Sequence, residues 1–562
     1  MTRPSPMQVQ LAITLLFAVA ITAVLVLTKP PPPATCQRFV IASSMEKFGM
    51  LRDFAASFNR SDGRAAQPCV TVAVEQVNSG DAELALEQGW SGMSTERPDV
   101  WAPASSAWVN LLVKRSKDRS MLPSGTSLSL FKSPLVIGMP KLMADALGYP
   151  GTRIGWRDIF GFVKNPAGWD AIGPPGWGQF KLGKTNPTVS TSGLHALIGT
   201  YFAASGPGLT AERAASAPVH DFVAGVETGV VHYGQTAADF LRNLRDASDN
   251  GQALQYVSAV AVEEQELVAY NTGTIGGVDH GGAPRMPLVP IYPSEGTPVA
   301  DHPYVILNSM KELAAQSFYR FVTKPERQAE IDSRGFRTVG SVDRGEAGPR
   351  LSRQPFINRN EPALVLQPPP GEVLDVMLSA WQAFRKRARV LILVDAAANP
   401  ELLKQATDRL ADAVSRFNPT DSAGVWVFPA PAGYATTYVI RVPVAPVSSE
   451  LNRGLKAIAH TTDRGEVAAS LRAAVDWLSA SYDPGAVDAV LLVEMSPGER
   501  SQADQELERY LRSQRIEHFV RVFTIGPAGP SAQLQDFSLA GRGVAYQPGT
   551  AGYLLNDVIS NF

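Results

Sequence analysis

TNPTVSTSGLHALIGTYFA, Thr185–Ala203, runs from a polar loop into a helix. Its apolar residues Leu194, Leu197, Ile198, Tyr201 and Phe202 recur at helical spacing. Ser190, Thr191, Ser192 and Gly193 stand immediately before them. A helix start leaves backbone N–H groups without internal partners and carries partial positive charge. Two readings of the loop are open. Ser190 or Ser192 caps the helix, or the hydroxyls together with Gly193 let a polar or anionic ligand approach the helix start. Either way, the stretch is one step in a strand–helix alternation that recurs along the chain, the mark of an α/β fold.

Upstream, Arg38–Ser44 reads as a buried strand entering a polar loop. A helix follows through Phe48, Leu51, Phe54, Ala55 and Phe58, and then a second strand, Cys69–Val74. Strand, helix, strand makes a parallel unit with neighbouring strands. Cys36 and Cys69, the two cysteines of the chain, lie at the starts of these strands. The reading therefore expects them to pair at one end of the sheet, with loop closure contributing about 3–4 kcal/mol. Pro98–Ala104 is a third strand ending at Ser105-Ser106, and Ser133–Met139 a further apolar one. Helices are expected near Ala237–Ala247, over Glu263–Tyr270 and over Ala314–Val322. On the second of these, Glu263, Glu264 and Glu266 read as a solvated face.

The 562 residues allow two or three domains, and 45% hydrophobic with 19% charged residues is a globular composition. A net charge of −2 offers no attraction for nucleic acid. Two cysteines exclude a disulfide-dense scaffold and a Cys-rich zinc site. At the start of the chain, Val9–Thr28 is uncharged. Twenty such residues at ~1.5 Å each cover the ~30 Å core of a bilayer. Lys29 and a proline run, Pro30–Pro33, follow in place of a small-residue cleavage site. Residues 1–35 are thus expected to be a single uncleaved transmembrane helix and a stiff spacer. The bulk of the chain then lies on the extracytoplasmic side, where paired cysteines belong.

Several features in order resemble a known family. They are the strand ending at Ser43-Ser44, the Asp99-Val-Trp strand before Ser105-Ser106, the strand Ser133–Met139, the Asn186–Gly193 segment leading a helix, Tyr292–Thr297, and the closing Gly335-Phe336. Together, Phe39–Val339 resembles the type-II extracellular solute-binding domains of bacterial transport systems. The resemblance implies two α/β lobes, a periplasmic-binding-protein-like fold over residues 36–340. It further implies crossover strands near Ser133–Met139 and Met286–Tyr292, and a ligand cleft between the lobes. The cleft residues it implies are Ser43, Ser44, Ser105, Ser106, Ser190, Thr191, Ser192, Glu264 and Tyr292, beside the Gly193 already singled out. Clefts at strand C-termini and helix N-termini are also what α/β sheets provide on physical grounds. Lys47 is the one basic residue in these loops, so a phosphate-grade anion site is not established.

Gly340–Gly371 is rich in Gly, Arg and Pro and reads as a linker over 341–371. Beyond it, over 372–562, come a helix from Glu372 to Arg389, an apolar strand Val390–Val394 running into Asp395, a strand pair (Gly424–Phe428 with Thr437–Val442), and further alternating strands and helices. That order predicts a parallel, Rossmann-like sheet covered on both faces. The strand ending in Asp395 and the late Val522–Gly526 resemble a von Willebrand factor A domain. Such domains imply a divalent metal such as Mg²⁺ held by an Asp-x-Ser-x-Ser loop, a distant Thr and a distant Asp. Here the two serine positions are Ala397 and Asn399, and Glu494 takes the second acidic place. Thr461 or Thr462 supplies the threonine. Asp395, Asn399 and Glu494 are therefore read as a degenerate metal site, the chain as free of cofactors, and the domain as a protein-contact module.

Enzyme motifs of the G-x-S-x-G, H-E-x-x-H and Walker types are missing. Gly276–Gly282 reads as a flexible loop between the lobes, and His280 and His302 as isolated. The expectation is a membrane-anchored extracytoplasmic binding protein and no enzyme. It would hold a small solute in the cleft and contact a protein or the cell envelope through the second domain. Two alternatives stand beside it: a structural scaffold without a ligand, and the solute-capture subunit of an ABC importer.

Overall fold

The computed structural model describes residues 36–546 apart from short stretches, the longest at 118–127. The expected span Val9–Thr28 and the spacer Pro30–Pro33 lie outside the described residues. Among the described residues, no helix is long and apolar enough to cross a membrane.

The first twelve strands are β1 (Gln37–Ser43), β2 (Val70–Gln76), β3 (Val100–Ala102), β4 (Leu128–Ser129), β5 (Ser133–Pro140), β6 (Leu182–Thr185), β7 (Val230–Gly234), β8 (Ala259–Glu263), β9 (Leu288–Ile291), β10 (Thr297–Ala300), β11 (Pro303–Ile306) and β12 (Val365–Leu366). They form two sheets. One has the order β2-β1-β3-β11-β4, and the other β12-β10-β5-β8-β6-β7 with β9 paired to β5. Each sheet is the centre of one lobe. In the first lobe, Phe39 and Ile41 of β1 pack on Leu51, Phe54 and Phe58 of helix α1 (Met45–Arg60). Cys36 and Cys69 form the expected disulfide at the open end of the parallel β1–β2 pair, where Gln37 N–H donates to Cys69 O at 2.7 Å.

The crossovers lie elsewhere than expected. β5 and β9 pair antiparallel within the second sheet, Ile137 opposite Ile291. The chain instead passes between lobes in the short segments β4–β5 and β10–β11, around Lys132 and His302. Apolar β5 is a central strand buried along its whole length, and its hydrophobicity reports that burial, not a bridge.

Four further helices position the cleft: α2 (Ser79–Glu87), α3 (Ser106–Arg115), α4 (Thr191–Ser205) and α5 (Ala237–Asp249). Helix α6 (Glu264–Thr272) follows β8. The expected linker and the helix after it are also part of this domain. β12 extends the second sheet beside β10. Helix α7 (Gly371–Phe384) buries Val373, Leu374, Met377 and Trp381 in a core shared with Trp108 and Leu112 of the first lobe and with Leu197 and Tyr201 of the second.

The C-terminal domain begins at β13 (Arg387–Asp395) and continues with α8 (Pro400–Val414), β14 (Ser422–Phe428), β15 (Val439–Pro446), α9 (Val467–Ala480), β16 (Ala486–Val493), α10 (Gln502–Ser513), β17 (Arg521–Ile525), α11 (Ala532–Ala540) and β18 (Ala545–Tyr546). The sheet order is β15-β14-β13-β16-β17-β18, all parallel except the edge strand β15. Alternate residues explain the two-sided cover. Val390, Ile392 and Val394 pack on α8, while Leu391 and Leu393 pack on α9 and α10.

Candidate functional site

The start of α4 is held from behind. A Cβ on Gly193 would come within 2.8 Å of the Asn186 carbonyl carbon and closer still to Thr185 O. Glycine is required there for backbone packing, not for ligand approach. Ser190 is the N-cap residue but makes no side-chain cap; its Oγ accepts from Thr185 Oγ1 at 2.9 Å. Ser192 Oγ donates to Glu266 Oε2 at 2.8 Å. Thr191 Oγ1 faces the first lobe, accepts from Trp108 Nε1 at 2.8 Å, and donates to Ser79 Oγ at 3.4 Å.

The first lobe answers with three loops at the C-terminal ends of its strands. Ser44 begins α1, and its Oγ donates to Glu46 Oε1 at 2.5 Å while accepting from the buried Lys47 Nζ. Lys47 Nζ also donates to Glu46 Oε1 at 3.0 Å. Ser79 Oγ accepts from Ala104 N–H at 3.1 Å. Ser105 caps α3 and bonds His195 Nε2 of α4 at 2.9 Å. Gly80 N–H donates to Val189 O at 3.1 Å, so two backbones meet across the gap.

Between these groups lies a cavity of about 60 Å³. Ser44, Ser190 and Thr191 line it, together with Glu46, Asn78, Ser79, Thr236, Gln265 and Glu266, which sequence reasoning missed. Gly276 and Gly277 close one side, so the glycine loop is cavity wall. Of the other expected cleft residues, Ser105 and Ser192 sit just behind the wall as contacts, and Ser43 and Ser106 bond their own surroundings: Ser43 Oγ donates to Ser44 O, and Ser106 N–H to Asp301 Oδ1. Glu264 and Tyr292 are not in the lining. Arg337 clamps Glu264 through Nε and Nη2 at 2.8 and 2.7 Å, and the Tyr292 hydroxyl donates to the same carboxylate.

The acidic helix is the main correction. Glu263 and Glu264 are fully buried and Glu266 partly so; they do not form a solvated face. Burial, then the neighbouring Glu46, pushes the Glu266 carboxyl up to about 7. Burial, then Glu266 and Glu46, raises Glu263 well above the carboxylate range. His302 is not isolated. It lies 3.6 Å from Glu46 Oε1 and 3.5 Å from Glu263 Oε2, and burial holds it neutral. Burial also lowers His195 to about 3 and lowers Lys47 from the usual lysine range.

In the C-terminal domain, Asp395 ends β13, Glu494 directly follows the neighbouring strand β16, and both line a groove of about 710 Å³. Burial, then Asp395, raises Glu494 to about 8. Of the two candidate threonines, Thr461 donates its N–H to Ala396 O at 2.9 Å while its Oγ1 accepts from the Asp463 N–H at 3.1 Å, and neither Thr461 nor Thr462 lines the groove. The donor set does not fit a metal. Ala397 has no ligand atom, Asp395 Oδ1 accepts the Ala397 N–H, and Asn399 Oδ1 is spent on the N–H groups of Glu401 and Leu402. Among the described residues, no group of three or more His, Cys, Asp or Glu is placed to hold a metal ion.

Residues 39–337 match the family model described as bacterial extracellular solute-binding protein. A Mycobacterium tuberculosis protein described as uncharacterized is 24% identical over 508 residues, 86% of this chain and 68% of its own. Among solved structures, the fructose-6-phosphate-bound periplasmic binding protein AfuA of Actinobacillus pleuropneumoniae is 12% identical; the match covers 62% of this chain and 98% of AfuA, at a TM-score of 0.39. A von Willebrand factor type A protein of Catenulispora acidiphila is 10% identical, covering 31% of this chain and 42% of its own, at a TM-score of 0.26.

Proposed function

This chain belongs to the bacterial extracellular solute-binding protein family, and on that premise we propose that it captures a small polar solute between its lobes. The observation that carries the reading is convergence. Ser44, Ser79, Ser190 and Thr191, from three loops on two lobes, face one cavity. Few polar groups on a pre-formed cavity wall are what a solute site requires. The cavity is small and the lobes touch, so a solute enters by their separation. The site holds its solute and does no chemistry on it. Its buried histidines are neutral and are not paired with a nucleophile in the cavity wall.

The extracytoplasmic setting is supported by the Cys36–Cys69 disulfide. The apolar run Val9–Thr28 supports attachment to the membrane. The C-terminal domain then serves as a protein-contact module held at the same surface. A second reading, a scaffold without a ligand, draws on the apolar seam between the lobes, where Trp108, Leu112, Met377 and Tyr201 share one core.

Native mass spectrometry of the full chain, purified gently in detergent without chelator, separates the two. The capture reading expects a bound molecule of definite mass that is absent from a Ser79→Trp variant, whose indole fills the cavity. Wild type and variant equally empty would refute it.

A further inference from the structure

The chemistry of the cavity wall limits what can bind. Two carboxylates line it from opposite lobes, Glu46 from α1 and Glu266 from α6. No Lys, Arg or His is among the described lining residues. An oxyanion would therefore meet two carboxylates with no facing cation, at a large desolvation cost. A second, independent feature points the same way. Gln265 is 91% buried, and its Oε1 has no hydrogen-bond partner. This acceptor in the wall is left for a donor on the ligand. Ala237, Leu241 and Ile275 also line the cavity, and their apolar surface suits carbon better than a hydrated metal ion.

We propose that the interlobe cavity binds a small organic ammonium, its charged nitrogen between Glu46 and Glu266 and its carbon body against Leu241 and Ile275. The proposal rests on the reading of the cleft as a solute site, and it names the ligand class. It also assigns the ligand a part in closure. Glu46 and Glu266 belong to different lobes, so a cation between them ties the lobes together. Lys47 Nζ pairs with Glu46 at 3.0 Å from behind the wall and offsets part of its charge, which leaves Glu266 as the carboxyl without a cationic partner in the lining.

Binding is coupled to a proton. Glu266 is the lining group with a raised carboxyl, and a cation beside it favours the ionised form. The other titratable groups packed around it are Glu46 and Lys47 on α1, Glu263 at the end of β8, and His302 in the β10–β11 crossover. Burial holds His302 neutral and raises the Glu263 carboxyl well above the usual carboxylate range.

The test uses the full chain and named probes: putrescine and ethanolamine against sodium sulfate, sodium molybdate, glucose and calcium chloride. The expected result is a rise in unfolding temperature of at least about 2 °C with an amine alone. Calorimetry in two buffers of different ionisation enthalpy should show release of about half a proton per amine at pH 7 and almost none at pH 8, where the amines are still fully protonated. Glu266→Gln should weaken amine binding at least about tenfold and abolish the proton release. Glutamine still accepts from Ser192 Oγ and from the Glu263 N–H, so the fold is retained, and an unchanged ligand-free midpoint checks this. Stabilisation by sulfate, molybdate, glucose or calcium, abolished by Ser79→Trp, would overturn the ammonium class and leave the solute site standing. No stabilisation by any probe would overturn the proposal, and an empty protein in native mass spectrometry would take the solute site with it.

Discussion

Gly80→Ala tests whether the lobes close as described. Gly80 sits in the first turn of α2, and its missing side chain faces the other lobe. A Cβ there would lie 2.8 Å from Val189 Cα and closer still to Thr188 O. Both are backbone atoms, so no rotamer relieves the clash. Carbon–carbon contact needs about 3.5–4 Å, and the lobes must part locally by about 1 Å. The Gly80 N–H to Val189 O bond, 3.1 Å in the closed form, then stretches to about 4 Å and is lost. The Trp108–Thr191 bond at 2.8 Å and the Ser105–His195 bond at 2.9 Å span the same gap and fail with it. Three bonds at about 1 kcal/mol each shift the closure equilibrium by about 3 kcal/mol, a factor of about 150. Hydrogen exchange over 79–87 and 186–200 should accelerate by about that factor, and solute affinity should fall in parallel. Gly49→Ala is the control. It is helical with open space around its Cβ, so it should stabilise α1 by a few tenths to about 1 kcal/mol and leave the gap unchanged. Unchanged exchange in Gly80→Ala would refute the closed interface.

Arg337→Ala leaves the buried Glu264 carboxylate without its bidentate partner. It should cost about 3–5 kcal/mol in urea unfolding, and a loss below about 1 kcal/mol would contradict the clamp. Reducing Cys36–Cys69, which closes a loop across a separation of 33 residues, should remove about 3.5 kcal/mol from the first lobe, read as an earlier unfolding transition in reductant. Glu494 is raised in the folded state to about 8 from an ordinary 4.5. The folded form therefore holds more protons between those values, and stability falls as pH rises through them. Glu494→Gln should remove that loss and raise C-terminal domain stability at pH 8 by a few kcal/mol, with no gain at pH 4; a variant that follows the wild-type pH curve would refute it. Chelator should leave the C-terminal domain midpoint unchanged, because Ala397 and Asn399 supply no free ligand atoms there.

What the sequence made legible follows the range of the interaction that decides it. The α4 helix shows in its own spacing, the β13 strand in its apolar run up to Asp395, and the disulfide in two cysteines at the starts of neighbouring strands. The acidic helix did not show, because its burial depends on residues far along the chain. Glu264 is neutralised by Arg337, 73 positions away, and Glu266 is covered by Ser192, 74 positions away. Charge on a short helix reads as exposure unless those partners are known. Gly193 misled for a related reason: a glycine at a helix start serves a ligand or a neighbouring backbone equally well, and here Thr185 and Asn186 fill the space. Lys132 and His302, where the chain crosses between lobes, lie in segments of two or three residues, too short to carry a periodic pattern.

Helix α7 shows why the second domain matters to the first. It lies across both lobes. Arg115 of α3 bonds Asp375 at 2.8 Å and Glu83 of α2 at 3.3 Å, and Asn110 Nδ2 donates to Pro369 O at 3.0 Å, all on the first lobe. On the other side Leu374, Met377 and Trp381 share a core with α4. The close fit of Gly371 against Asn110 O allows no side chain at the helix start. Two residues after α7 ends, β13 begins, so the C-terminal domain is the direct continuation of the strap. Separation of the lobes must break the Arg115–Asp375 pair, pull the apolar face of α7 from one lobe, or carry α7 along with β13. The first costs at most about 1 kcal/mol because the pair is partly exposed. The second exposes several large side chains at about 1.5–3 kcal/mol each. Trp108 and Leu112 of the first lobe share that core as fully as Leu197 and Tyr201 of the second, so pulling α7 from either lobe exposes apolar surface and α7 opposes their separation from both sides.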